Sequence, residues 1–453
     1  MLLTVVAFLV ALGVLIAVHE YGHYRVARAC GVKVLRFSIG FGRPIARWQR
    51  PGSPTEFVIG VLPLGGYVRM LDEREAPVDA AERSLAFNTQ PLRARAAIVA
   101  AGPLANLLLA VVLYAAVNWM GVQEPAAFVS RPAAQSVAER AGLRSGDQVL
   151  AAAVGAREAE PVRSFDALRW TLTQAALNAE DVRLQVRSAR AGERSLLLPL
   201  SQFDAREADA GLLARIGVVA PWARPVLGEI GADGAAARAG LAPGDLVLSI
   251  DGAPVEDARQ LRDAIRASAA EGGVEAQRWR VERVGREMAL EVTPEPHQEG
   301  AARVGRINAY VGAPPRMVRV AYGPLEGLSR AFVRTWDVSV LSLRMLGRML
   351  VGEASLKNLS GPLTIADYAG RSASLGLAQY LAFMALISVS LGVLNLLPLP
   401  VLDGGHLMYY LWEAVTGHPP SDVWMERLTR GGVALLVLMM SIAVFNDFTR
   451  LFG

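Results

Sequence analysis

The sequence predicts an α+β polytopic membrane protein with four transmembrane helices, a membrane-associated β-hairpin region and two copies of a globular module outside the membrane. Three observations predict this class. The chain has 453 residues and is 53% hydrophobic, which is too apolar for a soluble chain of that length. Its apolar residues are concentrated in four long runs, and a ten-residue pattern occurs twice between the second and the third run.

The composition excludes several classes of protein. The 46 basic and 42 acidic side chains leave a net charge of only +4, which provides no clustered charge for binding nucleic acid. The single cysteine, Cys30, excludes an intrachain disulfide and a zinc site built from four cysteines or from two cysteines and two histidines. The five histidines, at positions 19, 23, 297, 406 and 418, leave a metal site few ligands to choose from.

The first apolar run, Met1–Val18, carries no charge and as a helix would span about 27 Å, enough to cross a bilayer core. A cleaved signal peptide is the alternative, but no basic segment precedes the run, and its positive charges follow it. The sequence therefore predicts a first transmembrane helix over residues 1–24. Further spans are predicted over residues 96–120, 377–403 and 431–447.

The distribution of charge predicts the topology. The segment 25–95 contains twelve arginines and lysines, so the positive-inside rule assigns it to the cytoplasm. Residues 121–376 and both termini are then expected in the periplasm of a bacterial inner membrane, while residues 404–430 return to the cytoplasm. Within residues 316–376, the stretch 331–351 carries periodic charges, which predicts an amphipathic interfacial helix rather than a fifth span.

Residues 141–150 (AGLRSGDQVL) match residues 239–248 (AGLAPGDLVL), which predicts two copies of one module. Each copy contains a small-residue helix end, a turn in which glycine supplies a positive φ, and a strand. The pattern resembles PDZ domains, and the resemblance assigns PDZ-like domains to residues 121–222 and 223–315. The first copy departs from the pattern after Leu150, so its later strand is not predicted.

PDZ domains capture extended peptides by adding a strand to a sheet edge. The resemblance therefore implies a carboxylate-binding strand in each module. The candidates are residues 215–218, which include Ile216, Gly217 and Val218, and residues 303–306. The alternative is that the modules are spacers without a ligand.

The first span ends in residues 19–23 (HEYGH). On a helix, positions i and i+4 share one face, so His19 and His23 can ligate one zinc ion with Glu20 beside it. Such an ion activates water, and Glu20 would accept the water's proton and later deliver it to a leaving amine. The alternative, two interfacial histidines without a metal, is disfavoured because ionisable groups in a span are costly unless they have a function.

The third ligand is predicted in residues 395–406 (NLLPLPVLDGGH), where two prolines end the third span. By the topology above, Asp403 lies on the cytoplasmic side, the same side as His19 and His23. A carboxylate is a proper zinc ligand, and two histidines with one carboxylate leave the fourth position open for water. Asp403 is therefore favoured, with His406 as the rival ligand.

Three motifs together resemble the site-2 proteases, which are intramembrane zinc metalloproteases, and specifically the bacterial type with two periplasmic PDZ domains. The motifs are residues 19–23 (HEYGH), residues 102–106 (GPLAN) and residues 395–404 (NLLPLPVLDG). The resemblance covers essentially the whole chain.

The resemblance implies that His19, His23 and Asp403 ligate Zn²⁺, that Glu20 is the general base, and that Asn395 helps to hold the substrate backbone. It also implies a small membrane-associated sheet formed by residues 38–42 and 56–70, with Gly65 and Gly66 as candidate substrate contacts. The exposed edge of such a sheet suits an unwound substrate segment, because hydrolysis requires the carbonyls of a transmembrane helix to be freed.

The resemblance further implies the class of substrate. Such enzymes cut single-pass membrane proteins whose outer domains have been trimmed, including anti-sigma factors, and they clear remnant signal peptides. The PDZ modules are expected either to exclude bulky outer domains or to bind a new C-terminal carboxylate.

Two other functions compete with proteolysis. The first is a membrane-anchored PDZ scaffold that binds periplasmic C-termini and has an inactive metal site; the presence of Glu20 and Asp403 argues against it. The second is a zinc-dependent transporter, which is disfavoured because the sequence has no inverted repeat.

Overall fold

The computed structural model describes residues 2–189, 191–203, 211–269, 275–299, 302–350 and 361–452. Met1 and Val351, each at the end of a predicted segment, lie outside these ranges. The chain divides into two compact units. Met1–Val122 together with Ala321–Gly453 form one, called the membrane unit, and Gln123–Val320 form the other, called the repeat unit.

The helices of the described ranges are, in chain order, α1 (Leu2–Ala29), α2 (Leu92–Met120), α3 (Val137–Arg140), α4 (Phe165–Leu177), α5 (Leu212–Ile216), α6 (Ala235–Arg238), α7 (Ala258–Ala267), α8 (Pro324–Leu350), α9 (Pro362–Ser374), α10 (Leu377–Asn395), α11 (Asp403–Thr416) and α12 (Asp422–Phe452). The strands are β1 (Val34–Gln49), β2 (Glu56–Met70), β3 (Val122–Pro125), β4 (Gln148–Val154), β5 (Glu160–Pro161), β6 (Val182–Ser188), β7 (Gly192–Leu198), β8 (Leu227–Ile230), β9 (Leu246–Ile250), β10 (Ala253–Pro254), β11 (Gln277–Arg283), β12 (Arg286–Val292), β13 (Glu295–Glu299), β14 (Ala302–Arg306), β15 (Ala309–Val311) and β16 (Met317–Val320).

Four helical segments are long and apolar enough to cross a membrane: Leu2–Ala29, Leu92–Met120, Leu377–Asn395 and Val423–Thr449. The prediction of four membrane-spanning helices is therefore confirmed, and the chain is a multi-pass membrane protein. The helix α8, which covers the predicted amphipathic stretch, is not one of the four.

All four spans differ from the prediction at one or both ends: the second begins at Leu92 rather than at residue 96, and the fourth is Val423–Thr449 rather than 431–447. The helix α1 continues to Ala29, so the HEYGH motif lies inside a helix rather than at its end. The helix α10 stops at Asn395, before the predicted end at Asp403, because Pro398 and Pro400 cannot donate a helical hydrogen bond. Asp403 instead begins a separate helix, α11.

The helix α2 is the centre of the membrane unit and packs against α1, α8, α10 and α11. Glycines allow the closest of these approaches. A Cβ atom at Gly22 of α1 would collide with the carbonyl of Ala101, and one at Gly102 of α2 would collide with the ring of His23. Such small-residue contacts are the usual way in which membrane helices approach each other closely.

The long strands β1 and β2 form the predicted hairpin, and each contributes two segments to a small sheet. The first half of β1 (residues 34–39) pairs with residues 66–70 on one side and with residues 56–60 on the other. Residues 56–60 also pair with the second half of β1 (residues 44–49). The result is a small sheet of four segments, and residues 66–70 form one of its edges.

An aromatic cluster attaches this sheet to α1. The ring of Tyr24, one residue after the HEYGH motif, packs edge-on against Phe37 of β1 and Phe57 of β2, with centroid distances of 5.8 and 5.7 Å. Edge-to-face pairs of this kind contribute beyond the apolar area that they bury, by about 0.5–1.5 kcal/mol each. The sheet is therefore fixed to the same turn of helix that carries the motif.

The repeat unit contains two similar four-stranded sheets, with strand orders β5-β4-β6-β7 and β10-β9-β11-β12. In both copies a short helix, α3 or α6, leads through the G-L-x-x-G-D turn into a central strand, β4 or β9. The first copy also forms this strand, which continues to Val154 although its sequence departs from the pattern. The later strand that the sequence left undetermined is therefore present.

The aspartate of each G-D turn is buried and has the same set of partners. Asp245 accepts hydrogen bonds from the N–H of Ala242 (2.8 Å) and from Arg283, whose Nε lies 2.7 Å away. Burial opposes ionisation of this carboxyl, but the arginine and the backbone N–H outweigh it, so the pKa of Asp245 is lowered. In the first copy, Asp147 accepts from the N–H of Arg144 and pairs with Arg194.

Candidate active site

The side chains predicted as zinc ligands converge in the membrane unit. His19 and His23 lie one turn apart on α1, and their Nε2 atoms are 3.2 Å apart. Asp403, the first residue of α11, places its Oδ2 atom 3.2 Å from Nε2 of His19 and 3.6 Å from Nε2 of His23. In the part of the chain that the structure describes, no other group of three His, Cys, Asp or Glu side chains could hold a metal ion.

The geometry of these three atoms fits a zinc ion. Tetrahedral zinc with metal–ligand distances of about 2.0–2.1 Å separates its ligand atoms by about 3.3 Å, close to the spacing observed. The Oδ2 atom of Asp403 is buried and has no hydrogen-bond partner among the described residues. A buried carboxylate oxygen without a donor is costly, and a metal ion held between it and the two ring nitrogens would remove that cost.

The ring of His23 is oriented by α2. Its Nδ1 atom lies 2.8 Å from the carbonyl oxygen of Ile98, to which the Nδ1–H donates a hydrogen bond. In this tautomer the lone pair of Nε2 is free for the metal, as metal-ligating histidines require. Gly102, one turn further along α2, leaves room for the ring, since a side chain there would collide with Nε2.

The ring of His19 contacts Asn106, the last residue of the GPLAN motif. The Nδ1 atom of His19 lies 3.3 Å from the side-chain amide of Asn106, whose other polar atom, Oδ1, is buried without a partner. Only the amide orientation that turns Oδ1 toward the ring accepts the Nδ1–H and frees Nε2 for zinc. The backbone of Asn106 is held in turn, because Ser388 of α10 donates a hydrogen bond to its carbonyl (2.7 Å).

This contact gives a testable expectation for zinc binding. Replacing Asn106 by Ala removes the group that orients His19, so we expect the affinity for zinc to fall about 10–100-fold. Competition with a fluorescent zinc chelator measures this affinity in detergent. The matched control is Asn118→Ala on the same helix, because Asn118 donates to the carbonyl of Gly327 instead. Unchanged zinc affinity in Asn106→Ala would contradict the assigned role.

The carboxylate ligand is positioned by two glycines. Gly404 and Gly405 follow Asp403 at the start of α11, where a Cβ atom on either would collide with carbonyl groups of the preceding loop. The loop itself is closed by short-range backbone hydrogen bonds, such as that from the N–H of Leu402 to the carbonyl of Leu399 (2.9 Å). The DGG sequence therefore lets the helix begin directly against the loop.

The rival ligand lies on α11, and the predicted substrate contact lies at the end of α10. His406 lies on α11 with its ring edge-on to Tyr409, at a centroid distance of 6.1 Å, and it is not part of the converging group. Asn395 is the last residue of α10 and is partly exposed. Its role as a substrate contact stays a prediction.

Glu20 lies between the metal ligands and the edge of the hairpin sheet. Its side chain is only 8% exposed and is within electrostatic range of His19, His23 and Asp403. A Cβ atom at Gly66 would lie 2.8 Å from Cγ of Glu20, so Gly66, the first residue of the edge segment 66–70, lies directly against the acid. In the described ranges, no strand pairs with the outer side of this edge.

The prediction of a carboxylate-binding strand at residues 215–218 of the first module is wrong, because this segment is not a strand. Arg215 and Ile216 are the last residues of α5, and Gly217 caps the helix with a φ of +98°. Ile216 and Val218 are buried. The left-handed glycine ends the helix there, because glycine adopts positive φ without steric cost. In the second module, the candidate segment 303–306 is part of the strand β14, as predicted.

Four membrane-spanning helices, one of which bears a histidine pair facing an aspartate, define a membrane-embedded zinc metalloprotease. The comparisons with known proteins agree. The model of Peptidase family M50 matches residues 7–439. The chain therefore belongs to this family, the site-2 proteases, and it is a zinc metalloprotease.

Several curated proteins are similar to the chain over their whole length. It is 41% identical to the "Putative zinc metalloprotease" of Ralstonia nicotianae, with 100% of the chain and 99% of the relative covered. It is 39% identical to the "Regulator of sigma-E protease RseP" of Escherichia coli, with 98% of each covered. For the "Protease RseP" of Yersinia pestis, the identity is 38% with the same coverage.

Sequence reasoning missed the groups that orient the ligands. The carbonyl of Ile98 has no side-chain signal, and Gly102 and Asn106 were noted only as parts of a motif. The spacing of Gly102 and Asn106 by four residues was the available signal, because it places both on one face of α2. Nothing in the sequence paired that face with the histidines.

Proposed function

We propose that this metalloprotease hydrolyses peptide bonds within the transmembrane segments of single-pass proteins. The observation that carries the proposal is the convergence of the two histidines and Asp403, with all ligand atoms within 4.8 Å of one another. The histidines lie on α1, which is apolar enough to span a membrane. We call His19, His23 and Asp403 the metal group. Because its histidines lie on such a helix, the metal group would act on peptide bonds that are themselves in the membrane.

In the proposed reaction, His19, His23 and Asp403 would hold the zinc ion. When bound, zinc supplies Lewis-acid chemistry, since it polarises a carbonyl and makes water acidic near neutral pH. The carboxylate of Glu20 takes a proton from the attacking water as the C–O bond forms. It then delivers that proton to the amide nitrogen as the C–N bond breaks. Ile98 and Asn106 keep both rings in the tautomer that leaves Nε2 unprotonated.

The hairpin sheet supports a way of holding the substrate. A transmembrane helix satisfies its carbonyls internally, so a scissile bond becomes accessible only when the segment unwinds. We propose that the unwound segment pairs with the edge at residues 66–70, which lies against Glu20 and has no strand on its outer side. Gly65 and Gly66 would give the substrate backbone close access, and Asn395 would help to hold it.

The proposed substrates are anti-sigma-factor-type proteins with trimmed outer domains, and remnant signal peptides. The names of two relatives, which describe a regulator of sigma E, support the first class. The basic segment 25–95 supports an active site near the cytoplasmic side of a bacterial inner membrane, with the repeat unit in the periplasm.

We propose that the two copies in the repeat unit are PDZ domains. Their matching strand orders and turns support this assignment. In the first copy, a cavity of about 550 Å³ is lined by Arg140, Arg215 and the capping residue Ser136, among others. Two cationic side chains beside a cavity suit a peptide carboxylate, which favours a receptor over a spacer.

The test is cleavage of a single-pass reporter in proteoliposomes. The purified chain is loaded with zinc and given reporters with either a short tail or a folded domain on the outer side. We expect the short-tailed reporter to be cut within its transmembrane segment, as located by mass spectrometry. Zinc binding without cleavage of any short-tailed reporter would overturn the proposal and favour the PDZ scaffold.

A further inference from the structure

An ion pair outside the metal group joins α11, which carries Asp403, to α2, which orients the histidines. Arg95 lies in the first turns of α2, and Glu413 lies near the end of α11. The Nη2 atom of Arg95 donates to Oε1 of Glu413 (2.6 Å), and its Nη1 atom donates to Oε2 (3.2 Å). This two-pronged geometry is the strongest arrangement that an arginine and a carboxylate can adopt.

The guanidinium of Arg95 is fixed by two further contacts. Its Nε atom donates to the carbonyl of Gln90 (3.1 Å), in the loop that precedes α2. Its plane lies over the ring of Tyr410, 5.2 Å from the centroid, and Tyr410 shares a face of α11 with Glu413. The side chains of Arg95 and Glu413 are only 17% and 19% exposed, so solvent screens the pair incompletely.

The ion pair links the part of α2 that orients His23 to the helix α11, which begins at Asp403. On α2, Arg95 lies one turn before Ile98, the residue whose carbonyl orients His23. On α11, Glu413 lies about 15 Å along the axis from Asp403, which begins the helix. The helix α2, which orients the two histidines, therefore also binds α11, the helix that begins with Asp403.

Besides the ion pair and Tyr410, the far half of α11 is held by the stacking of Trp412 on Trp424 of α12, at a centroid distance of 6.4 Å. Among its described residues after Tyr409, none is buried, and Leu411, Trp412 and Val415 are exposed. Without the ion pair, α11 could turn about its own axis on the Gly404–Gly405 contact. A metal site tolerates displacements of only about 0.5 Å, or rotations of about 10–20°, so such a turn would remove Asp403 from it.

We propose that Arg95 and Glu413 are positioning residues that set the orientation of Asp403 toward the metal. Neither touches the metal group or the substrate; they act through the rigid helix α11. The inference rests on the proposed ligand set, in which Asp403 is the third ligand.

The test is a charge exchange with zinc affinity as the readout. The full chain is purified in detergent, stripped of metal and titrated with zinc against a fluorescent chelator. We expect Arg95→Glu and Glu413→Arg each to raise the dissociation constant for zinc about tenfold or more. The double exchange restores the attraction with its sign reversed, so we expect it to recover most of that loss.

A spectroscopic measurement separates positioning from general destabilisation. With Co²⁺ in place of zinc, the d–d absorption bands report the ligand geometry directly. We expect these bands to change in both single variants and to return in the double exchange. The control is Arg430→Glu, which breaks an exposed ion pair with Glu426 on α12 and should leave zinc affinity and spectrum unchanged.

The outcomes distinguish the two proposals. Zinc affinity retained in Asp403→Ala would overturn the ligand set itself. Affinity lost in Asp403→Ala but unchanged in both single variants would overturn only the positioning role, as would a double exchange no better than the singles. If a reversed charge prevents folding, Glu413→Gln decides instead: we expect weaker zinc binding at a temperature well below the melting temperature of the metal-free variant, and wild-type binding would overturn the role.

Discussion

The Glu20→Gln variant is expected to bind zinc as tightly as the wild type and to cleave the short-tailed reporter about 10²–10⁴-fold more slowly. Gln has nearly the shape of Glu and keeps the packing against Gly66, but it cannot accept a proton from water at neutral pH. The loss therefore falls on the chemical step rather than on the metal or the substrate. Single-turnover cleavage in proteoliposomes, with bound zinc counted in the same sample, measures both quantities.

The control for this variant is Glu426→Gln on α12. Glu426 is an exposed acid paired with Arg430, so its replacement changes the net charge by the same amount without touching the metal group. It should cleave at the wild-type rate. If Glu20→Gln cleaved as fast as this control, another group would have to move the proton, and the assigned mechanism would be wrong.

The rate lost in Glu20→Gln also tests the scaffold alternative. A scaffold that binds periplasmic C-termini through its PDZ modules has no use for an acid beside the metal. Peptide binding by the repeat unit should therefore be the same in the variant and in the wild type under either function. Only cleavage distinguishes them, which makes the comparison of the two readouts decisive.

The membrane-spanning helices and the ligand residues were predictable because their signals are local. An uncharged run of bilayer length and a histidine pair at i and i+4 each lie within a single helix, so periodicity and composition report them. Asp403 was predictable from topology, because two helix-breaking prolines place a carboxylate on the same side as the histidines. The spans and the histidine pair each have their physical cause in a short segment of sequence, whereas the prediction of Asp403 also needed the order of the spans and the charge of residues 25–95.

The parts of the site that the sequence did not predict depend on contacts between segments far apart in the chain. The hydrogen bond from His23 to Ile98 and the ion pair from Arg95 to Glu413 join different helices, and no pattern within either helix specifies its partner. The prediction of a strand at residues 215–218 was wrong for another reason. Their β-branched and apolar residues suit a strand, but burial of Ile216 in the module core and the left-handed Gly217 favour a helix end.

The second large effect is expected in Asp403→Ala, which should lose zinc. Removing a group that merely orients a ligand costs about 10–100-fold in affinity, so removing a ligand should cost more than about a hundredfold. The two histidines that remain cannot complete a site with one open position, and cleavage should disappear together with the metal. Zinc titration of the purified chain, followed by the reporter assay at saturating zinc, separates the loss of metal from the loss of activity.

The matched variant is His406→Ala, which removes a zinc-binding side chain from the same helix. His406 lies one turn beyond Asp403 but outside the converging group, so we expect this variant to keep wild-type zinc affinity. The opposite pattern, zinc retained in Asp403→Ala and lost in His406→Ala, would make His406 the third ligand. That result would require α11 to rotate by about 60° and to shift by about 4.5 Å along its axis, which the contact between Arg95 and Glu413 opposes. The pair of variants therefore tests the identity of the ligand and the orientation of its helix together.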